Sequence, residues 1–380
     1  MRTPLKYGVN PHQGKAFVSN PTKDLRVLNG TPGYINFLDA LMAWQLVMEL
    51  ADSSGKASAA SFKHVSPAGA AVAAPLSQEF LNAQFLASRD LSPIATAYAR
   101  ARGGDRMCSF GDALAVSQKV DESLALLLKS EVSDLIIAPD YDDVALDILR
   151  SKKSGAYIIL QMDPSYVPPV TEERQLFGFN FEQERNAIAI SKDLFSGVSS
   201  DVTESLLVGT TALKYAQSNS VCVSYDGQVI GLGAGQQSRI HCTRLACDKA
   251  DKWMMQFHPK VQALVFQKGL TKPDKANVVD QYLLWDDLSQ NEQKDVVSKL
   301  QILPESISRD EKLSWVGSFD NLCLSSDAYI PFRDNIDRAA KSHVMVVAHP
   351  GGSVRDEIVK AACEEHNIAL LETGLRCFLH

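Results

Sequence analysis

No apolar run in the sequence is long enough to cross a bilayer, which argues against a helical membrane span. No Cys-x-x-Cys pair occurs. The seven cysteines (Cys108, Cys222, Cys242, Cys247, Cys323, Cys363 and Cys377) are scattered. Neither a zinc site nor a disulfide framework is signalled, and an odd count in a long chain reads as reduced thiols in the cytoplasm. The His-x-Glu and Pro-Cys-x-x-Cys pattern of zinc deaminases is missing. So are a phosphate-binding P-loop and the G-x-G-x-x-G dinucleotide fingerprint. There is no basic excess. The formal net charge of -7 argues against general nucleic-acid binding, while leaving room for local phosphate pockets. The start, Met1-Arg2-Thr3-Pro4-Leu5-Lys6, lacks the apolar core of a signal peptide.

What remains is an ordinary soluble composition, 45% hydrophobic and 22% charged over 380 residues. That length allows two domains and a large core. The organising stretch is Ser61-Phe62-Lys63-His64-Val65-Ser66-Pro67-Ala68-Gly69. Ala57 to Phe62 reads as the end of a buried strand. Pro67 is placed to open a helix through Ala68 to Ala73. A cation and an imidazole thus sit side by side at a strand-to-helix junction, where free N–H groups would favour anions. The positive charge of Lys63 favours a neutral neighbour at His64. A neutral imidazole can accept a proton, and an ammonium can steady an oxyanion. On these residues alone the plainer reading is favoured, with Lys63 solvated and His64 capping the turn. Cooperation between the two needs irregular backbone, because successive strand side chains point to opposite faces.

Along the chain, Leu5 to Gln13 is irregular, with an Asn-Pro turn. Asn36 to Leu50 reads as a helix whose stripe of Phe37, Leu38, Leu41, Met42, Leu46 and Leu50 faces the core. Pro93 to Arg102 reads as a helix. Leu114 to Ser117, Asp121 to Ser130, Asp134 to Asp140, Asp142 to Ser151 and Tyr157 to Leu160 then alternate strand and helix, the pattern of an α/β sheet. The C-terminal end repeats it. Leu322 to Ala328 mirrors Met107 to Ala113 in its Asp-Ala ending. Val344 to Pro350 mirrors Leu135 to Pro139 as an apolar strand stopped by proline. These matches point to two copies of one unit. Val221 to Gly231 reads as a β-hairpin turned by Asp226-Gly227. Gly231, Gly233 and Gly235 allow close approach, by a ligand or by neighbouring chain. A helix follows from Ile240 to Met255. Lys260 to Trp315 has the charge and spacing of an inserted helical lobe with a solvated face.

Ser61 to Gly69, Lys214 to Ser220, Gly231 to Arg244, Ser326 to Arg338 and Leu375-Arg376-Cys377-Phe378 together resemble one family. It is the formyltransferase half of the bifunctional purine-biosynthesis enzyme, aminoimidazole carboxamide ribonucleotide (AICAR) transformylase/IMP cyclohydrolase. The resemblance runs from Leu5 to His380; a cyclohydrolase half, which would precede Leu5, is missing. It implies two tandem cytidine-deaminase-like α/β repeats without zinc, residues 1–195 and 196–380, the second carrying a helical insertion at about 260–315. It implies a cytoplasmic homodimer with shared active sites, acting on small molecules rather than on nucleic acid or membrane. The implied reaction passes a formyl group from 10-formyltetrahydrofolate to the 5-amino group of AICAR.

By the same resemblance, His64 is the base, Lys63 the transition-state stabiliser, and Asn219 an orienting amide. AICAR would meet Lys6, Tyr7, His64, Gly111, Asp134, Lys153, Asn219, Arg239 and Arg376. The folate would meet Ile240, Tyr329, Asp334, Gly351 and Gly352. No catalytic metal is implied, and potassium would be structural. Asp112, Asp327 and His241 are read as structural. The family has Arg where this chain has Lys6, and a planar fork grips phosphate differently from a point charge. Tyr329 stands for a phenylalanine. Two other readings stay open: AICAR formylation from formate and ATP, against which the missing P-loop counts, and a non-catalytic purine-nucleotide binder.

Overall fold

A computed structural model of the chain describes residues 2–19, 23–86 and 90–380. Two short strands, β1 (Arg2–Pro4) and β2 (Phe17–Ser19), pair antiparallel beside the arm that holds Lys6 and Tyr7. β3 (Leu25–Asn29) leads to α1 (Tyr34–Ser54). The Gly33 N–H donates to Asn36 Oδ1 at 2.9 Å at the helix start, and Gly55 ends the helix in the left-handed region. The buried stripe of α1 is Phe37, Ala40, Ala43, Trp44, Leu46, Val47 and Leu50. Leu38, expected in that stripe, is exposed, and Leu41 and Met42 are only half-buried, because the core lies to one side of them.

The next two strands overturn one expectation. β4 (Ser58–Lys63) and β5 (Ser66–Val72) form a hairpin, so Pro67 opens no helix. Pro67 is itself a strand residue opposite Phe62, where a register shift at Ser61/Phe62 absorbs its missing N–H. α2 (Gln78–Ala83) and α3 (Pro93–Gly103) follow. Then come β6 (Asp112–Val116), α4 (Glu122–Lys129), β7 (Ser133–Ala138), α5 (Asp143–Arg150) and β8 (Ile158–Met162). A solvent-exposed ribbon, β9 (Thr171–Leu176) with β10 (Phe179–Glu184), was not foreseen.

α6 (Ser200–Lys214) precedes the expected hairpin, β11 (Val221–Tyr225) and β12 (Gln228–Gly233). Asp226 and Gly227 both take positive φ in its turn. α7 (Arg239–Met255) lies against β12. Gly231 and Gly233 admit the α7 backbone at Ala246 and Cys242, so neighbouring chain, not open ligand space, explains them. Residues 259–316 hold α8 (Pro259–Gln262), α9 (Lys272–Leu283), α10 (Gln290–Ser298) and α11 (Arg309–Val316). The chain closes with β13 (Cys323–Ser326), α12 (Asp334–Lys341), β14 (Val346–His349), α13 (Asp356–Glu365) and β15 (Ala369–Glu372).

Eleven strands form one mixed sheet in the order β15-β14-β13-β11-β12-β5-β4-β6-β7-β8-β3. Out from the centre, each side has a hairpin, an antiparallel third strand, then two parallel strands, and β3 adds an antiparallel edge strand beyond β8 on one side only. The sides join where Gln228 of β12 faces Ala71 of β5. Side chains alternate across the sheet. Ala59, Leu114 and Ile136 enter one core with α3, α4 and α7, while Ala60, Phe62, Leu135 and Ile137 enter the other with α1 and α6. The fold is therefore α/β with helices on both faces. No helix among the described residues is long and apolar enough to cross a membrane.

Candidate active site

The tip of the β4–β5 hairpin supplies the irregular backbone that Lys63 and His64 need. Lys63 ends the strand. His64 and Val65 form the turn with φ of 56° and 58°. Two positive φ values make a two-residue hairpin loop. Here the turn lacks the usual Asn, Asp or Gly, and a β-branched residue at positive φ is a steric outlier. The Val65 N–H donates to Asp39 Oδ1 of α1 at 2.6 Å, which holds the turn from outside. Lys63 Nζ donates to the Phe110 carbonyl at 2.6 Å and leaves further N–H bonds to give. His64 is exposed.

Beside this tip lie the starts of β6 and β7. Gly111, at φ 75°, would bring a Cβ to 3.8 Å from Asp134 Oδ2, so chain and carboxylate pass closely there. Asp134 pairs with Lys153, which stands in the left-handed region before β8. The structure thus gathers Lys63, His64, Gly111, Asp134 and Lys153 at one end of the neighbouring strands β4, β6, β7 and β8. Underneath, Asp112 is buried, accepts from Ser61 at 2.8 Å and faces Arg102 at 3.0 Å. That supports its structural reading. The Lys6–Tyr7 arm docks at the start of α1. Lys6 N donates to the Pro32 carbonyl, the Tyr34 N–H donates to the Tyr7 carbonyl at 3.1 Å, and both side chains are exposed.

The second half of the constellation comes from the far side of the central joint. The Gln217 N–H donates to Ser66 Oγ at 3.3 Å, which ties the loop before β11 to the catalytic-candidate turn. Two residues on, Asn219 is held at both ends of its amide. Its Nδ2 donates to the Gln236 carbonyl at 3.0 Å, and its Oδ1 accepts from Arg239 Nη2 at 2.7 Å. Arg239 is buried and also meets Asp327, Ser326 Oγ and the Ser220 carbonyl. Asp327 in turn accepts from Ser218 and the Ser220 N–H. Its structural reading therefore holds. His241 is exposed on α7. Arg376 is exposed, stacked over Phe378 at 4.9 Å, one residue before Cys377 bonds the Asp327 carbonyl.

The residues expected to meet folate form a separate group on the same side. Ile240 follows Arg239 into α7, and Thr243 one turn later donates to Asn335, next to Asp334. Tyr329 is exposed. The Ile330 N–H donates to His349 Nδ1 at 3.3 Å, and Arg355 stacks on Phe332 at 4.6 Å. These contacts bring the 328–334 loop beside Gly351 and Gly352. Among the described residues, no hydrogen bond joins this group to His64.

Two participants were missed by sequence reasoning. Asp39 lies 26 positions from the turn it holds. His349 is buried with Nε2 unpartnered, and burial pushes its imidazole below the ordinary value against the pull of Asp356 and Glu372. Asp39 stood in no motif, and His349 lay in the Val344 to Pro350 stretch, which was read only as an apolar strand stopped by proline. Among the described residues, no group of three or more His, Cys, Asp or Glu could hold a metal ion. The buried Ser220 Oγ lacks a hydrogen-bond partner beside Asp327, an oxygen-donor pairing suited to a hard cation such as potassium.

Residues 1–249 match the AICARFT/IMPCHase bienzyme family. The chain belongs to that family. Its relatives include the bifunctional purine biosynthesis protein PurH of Clostridium perfringens (strain SM101 / Type A), 26% identical over 387 residues, covering 99% of this chain and 58% of that protein. The PurH of Aquifex aeolicus (strain VF5) is 27% identical over 392 residues, with 99% and 59% covered. The chain thus spans less than two thirds of the length of these bienzyme relatives.

Proposed function

We propose that the chain is the formyl-transferring part of the bienzyme: it moves the formyl group of 10-formyltetrahydrofolate to the 5-amino group of AICAR. The observation that carries this reading is the Gln217–Ser66 contact, which sets the Asn219 loop against the Lys63–His64 turn. The acceptor amine is conjugated with its ring and is a weak nucleophile. As its nitrogen bonds to the formyl carbon, His64 takes the amine proton. Lys63 steadies the oxyanion. The bond from that carbon to the folate nitrogen then breaks, and the departing nitrogen takes the proton held by the His64 imidazolium, which returns the base to its neutral form. Asn219, fixed by Arg239 and Gln236, orients the formyl group.

The nucleotide would lie over Gly111 and Asp134, with Lys153, Lys6 and Arg376 toward its phosphate and Tyr7 on the arm. Arg239 already has four protein partners, so its first contribution is to hold Asn219. The folate would lie along Ile240, Tyr329, Asp334, Gly351 and Gly352. Potassium would be held by Ser220 and its Asp327 neighbour, as a brace for the loop.

The matched strand order on the two sides of the sheet supports two tandem deaminase-like repeats, divided near residue 195, with α8 to α11 as an insertion in the second. Homodimerisation is supported by the open site and by the β9–β10 ribbon. His64, Lys6, Tyr7 and Arg376 all face solvent in a single chain. Every ribbon position is exposed, including Leu176, Phe179 and Phe181, with Phe177 at its turn. Apolar surface of that kind marks an association site.

The test is an absorbance assay with purified protein, AICAR and 10-formyltetrahydrofolate. Tetrahydrofolate formation is expected. Its absence, with AICAR still bound, would overturn formyl transfer from folate, and a second assay with formate and ATP would then distinguish another donor from a pure binder.

A further inference from the structure

One buried acid is left unused by the scheme above. Asp39 lies on the second turn of α1 and is 7% exposed. Its bond to the Val65 N–H, at 2.6 Å, is of the charge-assisted kind, stronger than a neutral one. The turn it reaches has two non-glycine residues at positive φ, a state that persists only where the surroundings over-determine it. The titratable groups that act on Asp39 are His64 on the turn and Asp134 of β7. Lys63 precedes His64, and Lys153 pairs with Asp134.

We infer that Asp39 is a positioning residue with two tasks: it fixes the His64–Val65 turn through the Val65 amide, and it sets a buried negative charge behind His64 that stabilises the imidazolium formed on proton transfer. The second task rests on the formyl-transfer reading; the first does not. The logic is that of a base oriented by a third group, acting here through backbone rather than through the ring.

The electrostatics separate this role from a merely structural one. Burial raises the Asp39 carboxyl above its ordinary value, while the Val65 N–H and His64 lower it and Asp134 raises it again. A carboxyl raised on folding binds more protons folded than unfolded. Stability therefore falls as pH rises through the window above the ordinary carboxylate value, and the cost persists at neutral pH. Asp39→Asn keeps the shape and an acceptor for Val65 but removes the charge. It is expected to melt at the same or a higher temperature than wild type. Its kcat is expected to fall about ten- to a hundredfold, with KM for AICAR within about threefold. Asp39→Ala removes the acceptor, and Val65 amide exchange followed by NMR is expected to quicken at least about tenfold. Wild-type kcat in Asp39→Asn, or a melting temperature that drops together with kcat, overturns the electrostatic task. Unchanged Val65 exchange in Asp39→Ala overturns the anchoring task. If wild type itself forms no tetrahydrofolate, the proposed function fails separately, and the exchange measurement still decides whether Asp39 holds the turn.

Discussion

Among the described residues the His64 side chain makes no hydrogen bond, and its place comes from the turn that Asp39 holds. Its φ of 56° turns the side chain out of the strand alternation that would otherwise set it opposite Lys63. The general-base assignment predicts that His64→Ala lowers turnover by about 10²–10⁴-fold. Calorimetric AICAR affinity should stay largely intact, since the nucleotide keeps its other contacts. Normal turnover in this variant would remove His64 from the chemistry. At the same scale, Asn219 and Arg239 were legible as members of a matched stretch, but not as a pair. The 2.7 Å bond between them crosses 20 positions, and no local spacing announces it.

At the scale of the element, the two hairpins show where local reading works. The β11–β12 turn was readable because Asp226-Gly227 tolerates two positive φ values. The β4–β5 turn was not, because His64-Val65 carries no such chemistry and is held by α1. Pro67 then pointed to a helix that does not form. Gly69 shows what holds β5 instead: a Cβ there would run into the Ala101 carbonyl of α3. Neither backbone can yield cheaply, so Gly69→Ala is expected to destabilise by at least about 1–3 kcal/mol in urea titrations. A wild-type midpoint would show that the strand can slide. The ribbon escaped notice because Thr171-Glu172-Glu173-Arg174-Gln175 is polar throughout and carries no period-two signal. If it joins two copies, replacing Phe177, Phe179 and Phe181 with Ser should shift sedimentation toward monomer. The thermal midpoint of the monomer itself should barely move, since these side chains bury little within one chain.

At the scale of the whole molecule, one polar network ties α3 and the loop before β7 to the helices of residues 259–316. Arg102 bonds Glu131 at 3.1 Å, Arg106 bonds it at 2.9 Å, and Lys272 of α9 bonds it at 2.8 Å. Burial works to raise the Glu131 carboxyl, but Arg106, Arg102 and Lys272 outweigh it and hold it below the usual range. A depressed carboxyl contributes stability above its unfolded value and loses it as pH falls through the folded one. The protein should therefore weaken in acid, below about pH 4.5. Differential scanning calorimetry across pH should show a flatter acid slope in Glu131→Gln. That variant should also be less stable at pH 7, because the buried Arg106 guanidinium loses its carboxylate partner and Arg102 keeps only Asp112 of its two. An unchanged slope would mean that another carboxylate governs the acid limb.

Many elements were legible in the sequence itself: α1, α3 to α5, α7, the Asp226-Gly227 hairpin and the β/α alternation at both ends all follow from periodicity, caps and turn residues acting over a few positions. Family membership was equally readable, since matched stretches keep their order along the chain. Only the tertiary structure decided that β12 joins β5 in one continuous sheet, that Gln217 reaches Ser66, and that Asp39 restrains a turn 26 residues away. The physical reason is range. Propensity and periodicity are summed locally, whereas a strained turn and a shared sheet edge exist only when distant segments supply the missing partners.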